Sequence, residues 1–384
     1  MKLSGDWISA EPTQALCRTL ENAGFQALFV GGCVRDDLFG MPVRDIDIAT
    51  DALPEAVIAL SQATGLKPVS TGIEHGTITV VSGGLPHEVT TFRRDVETDG
   101  RRATVAFSTN VIEDARRRDF TMNALYARSN GEVIDPLNGM SDLQARRVRF
   151  IEDPEQRIRE DYLRILRFFR FHAWYGADGL DADGLAACAA LAEGIAHLSK
   201  ERIGTEFLKL LAAPQPAGSV ASMRSSGVLL HVLPGVDDSM LGPLVHIEHS
   251  LSLPAEPIRR LAALGGQDQS NHLRLSRAQS KRLGQLIDGM ASTASMEELA
   301  YRLGGELARD VLLLKTAAEN RQPSTQELDN VAVAAGAEFP ISAADLMPAY
   351  KGPELGRKIA QLEQTWIDSR FTLSREDLLG RDLS

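Results

Sequence analysis

The residues with the clearest chemical potential are two aspartates, Asp45 and Asp47, set behind a glycine pair, Gly31 and Gly32. The stretch reads Phe29-Val-Gly-Gly-Cys-Val-Arg-Asp-Asp-Leu-Phe-Gly-Met-Pro-Val-Arg-Asp-Ile-Asp-Ile-Ala-Thr50. Apolar residues Ala27 to Val30 predict a strand running into the glycines. A short helix from about Val34 to Phe39 follows, stopped by Gly40 and Pro42. A second strand is predicted to carry Asp45 and Asp47, whose side chains share one face because they lie two apart. Ile46 and Ile48 fall on the other face, toward the core.

Adjacent anions repel, and each is easier to keep protonated unless positive charge sits between them. A divalent, oxygen-preferring ion such as Mg2+ meets that need, usually with phosphate completing its shell. The N–H groups of the glycine turn can approach a triphosphate closely because no side chain intervenes. Arg35, just beyond, offers a planar fork to the same phosphates. The stretch points to metal-dependent phosphoryl or nucleotidyl transfer. A bare Asp-x-Asp at a strand end is more often a solvated pair, and the upstream Gly-Gly-x-Val-Arg-Asp tips the reading toward chemistry.

A chain of 384 residues exceeds what one core usually serves, so two to four domains are expected. No apolar run is long enough for a membrane span and the N-terminus lacks a signal pattern, so the cytoplasm is expected and a membrane is not. Cys17, Cys33 and Cys188 are scattered and odd in number, which suggests neither a disulfide framework nor a zinc cluster. The net charge of −11 argues mildly against nucleic acid, although its distribution matters more than its average. Between Lys67 and Lys200 there is no lysine, so every basic side chain there except histidine is arginine. Arginine suits planar contacts to phosphates and base edges.

Upstream, Thr13 to Ala23 predicts a helix ended by Gly24, and Leu53-Pro54-Glu55 opens another to about Gln62. Thr77 to Val81 and Glu88 to Phe92 predict strands joined by Ser82-Gly83-Gly84. Glu88 is either a third carboxylate of the metal site or an exposed strand residue. Residues 93–110, with Arg93, Arg94, Arg101 and Arg102, show no periodicity and read as a mobile loop, either closing over substrate or merely connecting. Glu113 to Ala124 reads as a helix approaching the site, with Arg118 and Asp119 pointing inward. From Asp153-Pro154 a long helix, or a pair broken near Arg159, is predicted to about Tyr175.

That segment places Asp161 and Arg164 three apart, hence neighbours on one helical face, with Arg167 and Arg170 continuing the step. A carboxylate accepts and a guanidinium donates. Cytosine and adenine each show an amino donor beside a ring-nitrogen acceptor, whereas uracil and guanine show the reverse. One Asp–Arg pair can accept C and A and refuse U and G, at about 1–3 kcal/mol per mismatched buried group. An ordinary intrahelical ion pair explains the same spacing. Beyond residue 176 strand signals vanish, and helices are predicted near 184–197, 200–212, 218–230, 255–264, 276–291, 296–303, 305–318, 324–336 and 353–366. His246 and His249 have no acidic companions, so no metal is expected there.

Taken together, Gly-Gly-x-Val-Arg-Asp with Asp45-x-Asp47, Gly76-Thr-Ile-Thr-Val80, Glu88-Val-Thr-Thr-Phe-Arg93, Arg117-Arg-Asp-Phe-Thr-Met-Asn-Ala124 and Glu160-Asp161-x-x-Arg164-x-x-Arg167-x-x-Arg170-Phe171 resemble the class II CCA-adding tRNA nucleotidyltransferases and the related bacterial poly(A) polymerases. The match covers residues 25–175. The resemblance implies an α+β fold: a DNA-polymerase-β-like nucleotidyltransferase head with a small mixed sheet, then an all-α neck, body and tail. Residues 1–150 would form the head, 151–215 the base-recognising neck, and 216–384 the tRNA-binding body and tail.

By position, the resemblance makes Asp45 and Asp47 the catalytic, metal-binding carboxylates with Mg2+ as cofactor. It assigns the incoming nucleotide to Gly31, Gly32, Arg35 and Arg118, and its base and phosphates to Asp161, Arg164, Arg167 and Arg170. The tRNA 3′ end would attack CTP or ATP and release pyrophosphate, with the protein itself as template. Three readings stand: full CCA addition; a narrower A-adding, CC-adding or poly(A) relative; and a non-catalytic RNA-binding module, which the intact Asp45 and Asp47 oppose.

Overall fold

The structure, a computed structural model, describes residues 1–73, 76–96 and 104–382. The chain forms two compact units. The first comprises residues 1–199 and 225–231, and the second comprises 200–224 and 232–384.

In the first unit, helices α1 (Asp6–Ser9) and α2 (Glu11–Asn22) precede β1 (Leu28–Val30). Then come α3 (Gly32–Leu38), β2 (Ile46–Thr50), α4 (Pro54–Ala63), β3 (Lys67–Gly72), β4 (Thr77–Ser82) and β5 (Leu85–Thr91). A ribbon of β6 (Arg93–Val96) and β7 (Thr104–Phe107) leads to α5 (Val111–Arg116), β8 (Tyr126–Arg128) and β9 (Val133–Ile134). Helices α6 (Met140–Gln144), α7 (Pro154–Glu160), α8 (Leu163–Tyr175) and α9 (Ala182–Ala190) follow.

Seven strands form one mixed sheet in the order β3-β4-β5-β2-β1-β8-β9, in which only β2 and β5 pair in parallel. The hairpin β4–β5 turns on Gly83 and Gly84, both at positive φ, the conformation a tight two-residue hairpin requires. Ile78, Val80 and Val89 are buried, while Thr77 and Thr79 alternate to the opposite face as expected. Helices α2 and α4 pack on β4 and β5, where Thr13 Oγ1 of α2 lies 3.1 Å from buried His87 Nε2. A second core joins Val30, Ala49, Phe92, Ala115, Tyr126 and Ile151.

Two expectations are corrected here. The segment after Phe92 is not a structureless loop, because Arg93 and Arg94 pair with Phe107 and Ala106 in the β6–β7 ribbon. Arg101 and Arg102 lie outside the described residues. The helix expected over 113–124 ends at Arg116, and Thr121–Asn123 forms a separate 3-10 turn. Its break lets Thr121 N–H reach Arg149 O at 3.0 Å and Phe120 pack on Phe150 at 4.9 Å. Strand β3 carried no period-2 signal in Lys67-Pro-Val-Ser-Thr-Gly and forms because β4 offers it an edge.

Beyond α9, the helix expected over 184–197 gives way to 3-10 geometry at Ala192–His197. The second unit opens with α10 (Lys200–Leu211) and α11 (Pro216–Ser225). Gly227, at φ +78, separates α11 from α12 (Val228–Val232), splitting the helix expected over 218–230. Helices α13 (Leu241–Ser250), α14 (Pro257–Ala263), α15 (Gln269–His272), α16 (Arg277–Ala291), α17 (Met296–Leu303) and α18 (Gly305–Ala318) form its middle. Helices α19 (Thr325–Ala335), α20 (Ala343–Leu346), α21 (Gly352–Asp368) and α22 (Arg375–Asp382) end the described chain. Reciprocal capping boxes, Ser276 with Gln279 and Ser324 with Glu327, start α16 and α19 where the sequence predicts helices.

The core of this unit contains a charge network. Arg259 bridges Glu248 at 2.6 Å and Asp310 at 2.7 Å, and Arg260 pairs with the same Glu248 at 2.7 Å. Arg260 also donates to Leu211 O and Ala213 O, both at 2.6 Å. These four side chains are at most 3 % exposed, so removing one partner strands another's charge in the interior. Glu248→Ala is expected to lose about 3–5 kcal/mol of stability. Urea unfolding measures this, and an unchanged midpoint would show the network to be dispensable.

Candidate active site

The loop between β1 and α3 brings Gly31 and Gly32 to the open end of the sheet. Gly31 sits at φ +72, a conformation costly for other residues, and its N–H donates to Leu125 O at 3.3 Å. Each glycine lies beside one guanidinium. A Cβ on Gly31 would stand 3.5 Å from Arg118 Nη1, and one on Gly32 would stand 3.8 Å from Arg35 Nη2. The pair expected from sequence to cradle phosphate is thus flanked by the two arginines expected to contact it.

Across from the turn, β2 presents Asp47. Asp45 does not lie on the strand as expected, because β2 begins at Ile46. The register sets Ile46 beside His87, which leaves Asp45 opposite Pro86, a residue with no N–H to offer a ladder. The same register places Asp47 directly beside Glu88 of β5. Burial, then the negative charges of Glu88 and Asp45, push the Asp47 carboxyl up to about 6, against the opposing pull of Arg118 and Arg35. The alternative left open for Glu88 is narrowed by this placement, since its charge is felt by Asp47.

Arg118 is held at the turn after α5. It donates to Asp114 Oδ2 at 3.0 Å and to Tyr126 OH at 3.1 Å, and Tyr126 OH donates to Asp114 Oδ2 at 2.7 Å. Burial alone would raise the Asp114 carboxyl, but Arg118, Arg117 and the Tyr126 hydroxyl hold it at about 2. Asp119 also points inward. Burial opposes its ionisation, yet Arg167 and Asn123 bring it to about 2. Asp114, Asn123 and Tyr126 were not singled out from sequence, and only the acidic–basic run 113–119 signalled any of them.

Of the two possibilities for 154–175, one long helix or a pair broken near Arg159, the structure takes the pair, with the break at Asp161. Asp161 is extended (φ −154, ψ 105) between α7 and α8, and its Oδ1 accepts from Leu163 N at 3.1 Å. Asp161 and Arg164 are therefore joined across a helix junction rather than stacked along one helix. Arg164 donates to Arg157 O at 2.8 Å, to Glu160, and to Arg117 O at 3.0 Å, which ties it to the Arg118 turn. Farther along α8, Arg167 pairs with Asp119, and the Arg167 and Arg170 guanidiniums lie 5.2 and 4.6 Å from the Phe171 ring centre. Ile165, Leu166, Phe168 and Phe169 bury the other side as predicted.

Arg35 sits on the same ring at 5.1 Å. Its Nε donates to Asp36 Oδ1, its Nη1 to Asn123 Oδ1 at 2.6 Å and its Nη2 to Tyr175 OH at 2.7 Å. The structure brings the candidate site residues into the first compact unit: Asp45 and Asp47 with Glu88, the glycines with Arg35 and Arg118, and the α7–α8 residues beside the 117–119 turn.

Oxygen donors alone, mutually repelling, suit a hard divalent cation. Among the described residues no three His, Cys, Asp or Glu side chains already form a complete metal cage. Because the Asp47 carboxyl is raised from 3.8 to about 6, the metal-free fold is favoured by its protonation. This stability is present at low pH and is lost as pH rises through that window. Cation binding needs the ionised form, so it should weaken as pH falls below about 6. Carboxyl NMR of the metal-free protein should show this titration, moved downward in Glu88→Gln, and an ordinary aspartate titration would refute the coupling.

Residues 27–149 match the family described as the poly(A) polymerase head domain, and 180–240 the probable RNA and SrmB-binding site of polymerase A. The CCA-adding enzyme of Streptococcus gordonii is 34% identical over 374 residues, spanning 92% of both chains. The mitochondrial CCA tRNA nucleotidyltransferase 1 of Danio rerio is 32% identical over 389 residues, 95% of this chain and 89% of that one. The crystal structure of the Bacillus stearothermophilus CCA-adding enzyme in complex with CTP matches with a TM-score of 0.77 at 28% identity, covering 97% of both chains. With this likeness running nearly end to end, the chain belongs to the CCA-adding enzymes, the nucleotidyltransferases that complete the 3′ end of tRNA.

Proposed function

We propose that the chain adds C, C and A to tRNA from CTP and ATP with Asp45, Asp47 and Glu88 around the reacting phosphate. The observation that carries this is the row of Asp47 and Glu88, in register on parallel strands, with Asp45 adjoining and a glycine turn flanked by Arg118 and Arg35 nearby. Asp45 and Asp47 would hold Mg2+, which when bound lowers the pKa of a hydroxyl and offsets phosphate charge. The Gly32 N–H and the Arg118 guanidinium orient the triphosphate, which Gly31 lets approach by carrying no side chain. The tRNA 3′-hydroxyl forms the new bond to the α-phosphorus and gives up its proton, while the bond to the β-phosphate breaks and pyrophosphate leaves.

Asp161 and Arg164 read the base. Asp161 lies at the α7–α8 junction and Arg164 in the first turn of α8, and the tie from Arg164 to Arg117 O relates the pair to the head turn. We divide the chain by role into a head to residue 150, a neck over 151–215, and a body and tail over 216–384 that hold the tRNA. No described helix is long and apolar enough to cross a membrane, and the three cysteines are free and buried, which suits a reducing compartment; we place the protein in the cytoplasm.

Incorporation into three tRNA transcripts, ending at the discriminator base, at C and at CC, tests the reading. Ordered addition of C, C and A that then stops is expected; an unending A tail, or C alone, would assign a narrower activity. Asp45→Ala and Asp47→Ala should fold normally yet lose a factor of at least about 100 in kcat, the scale of removing one preorganised electrostatic group. Asp161→Ala should admit UTP or GTP, narrowing discrimination by roughly tenfold or more per lost contact. Retained activity in Asp45→Ala would sink the metal assignment.

A further inference from the structure

A closed ring of contacts joins the glycine turn to the base-reading helix. Arg35 donates to Asn123 Oδ1 at 2.6 Å, Asn123 Nδ2 donates to Asp119 Oδ1 at 2.9 Å, and Arg167 donates to Asp119 Oδ2 at 2.8 Å. Arg167 and Arg35 then meet over the Phe171 ring, at 5.2 and 5.1 Å from its centre. Tyr175, one turn beyond Phe171 at the end of α8, grips this ring from outside. Its hydroxyl accepts from Arg35 Nη2 at 2.7 Å and is hydrogen-bonded to Asp36. Its ring centre lies 4.1 Å from the Arg35 guanidinium carbon, and Phe39, the C-cap of α3, stacks on it at 5.7 Å with planes 10° apart.

We propose that Tyr175 is a positioning residue that sets the spacing between the glycine turn and the base-reading pair, Asp161 and Arg164. A nucleotide is a bivalent ligand, with its triphosphate at one half-site and its base at the other. The whole molecule gains affinity only when the two half-sites stand at the right separation. The turn leads directly into α3, and the pair opens α8. Arg35, Asp36 and Phe39 all engage Tyr175, so this side chain fastens the C-terminal end of α8 to α3 and its C-cap, one turn beyond the Arg35–Phe171 contact. Three Arg35 nitrogens each have a protein acceptor, so this arginine transmits position as well as charge.

This inference rests on the half-sites assigned above, and the test separates the two. Steady-state kinetics on Y175F, Y175L, D45A and the unaltered protein would use CTP with tRNA lacking CCA, and ATP with tRNA ending in CC. Cytidine and tripolyphosphate, each filling one half-site, serve as competitive inhibitors. Y175L should raise KM for both nucleotides by about tenfold, the scale of one lost hydrogen bond to a charged group. Its kcat should move less, and the inhibition constants of both fragments should stay as they were. Y175F, which keeps the ring and loses the hydroxyl, should fall between.

A fall in kcat at unchanged KM overturns the proposal. So does an equal loss for tripolyphosphate alone, which would make Tyr175 a local tether of Arg35. Should Y175L fail to fold by thermal melting, Y175F decides, and an unchanged KM there overturns the proposal. Full activity in D45A would defeat the site assignment itself, whereas an inactive D45A beside unaltered Tyr175 variants defeats only this inference.

Discussion

Parallel pairing of β2 with β5 sets Asp47 beside Glu88, and much of the first unit answers to that juxtaposition. Two carboxylates a strand apart, with Asp45 adjoining, concentrate negative charge where burial already penalises it. The protein does not cancel that charge with its own cations. Arg118 is committed to Asp114 and Tyr126, and Arg35 to Asp36, Asn123 and Tyr175. They act on Asp47 from a distance, which is why its carboxyl stays elevated. A site left short of positive charge in this way is poised for a cation that arrives with the substrate.

The positive side of the site is built from arginine for a physical reason. Each guanidinium can stack on an aromatic face and donate in its plane at the same time. Arg35, Arg167 and Arg170 all lie against the Phe171 ring, while the nitrogens of Arg35 and Arg167 also serve other groups. A lysine could satisfy one of these roles but not both. The aromatic cluster of Phe120, Phe150, Phe168 and Phe171 beneath them gives the 120–123 segment and α8 a shared apolar floor.

The second unit spends charge differently. Arg259, Arg260, Glu248 and Asp310 are buried and mutually satisfied, and they join α13, α14 and α18. Such networks contribute little net stability compared with an apolar replacement, but they penalise any packing that separates the partners. Toward the C-terminus the packing is aromatic instead, with Trp366 against Phe371 at 4.8 Å and Tyr301 at 5.6 Å.

What the sequence by itself determined was local. Gly31 had to be glycine for its turn, Gly83 and Gly84 announced a tight hairpin, the pattern of 305–318 was enough to place its helix, and that of 154–175 gave the end of α8 at Tyr175 but not its start at Leu163. Motif order was sufficient to name the family and to nominate Asp45, Asp47, Arg118, Asp161 and Arg164 as candidates for its site. Only the tertiary structure decided who meets whom. That Glu88 faces Asp47 depends on a parallel register between strands about forty residues apart, and a one-residue slip would have turned it away. The β6–β7 ribbon exists because two aperiodic segments find each other, and Asp161 breaks its helix because its own carboxylate caps the next one. Tyr175 carried no signal at all, and Asn123 only its place in the Arg117–Ala124 motif: their roles arise from Arg35, far away in the chain, and a pattern confined to a few consecutive residues has no means of encoding such a partner.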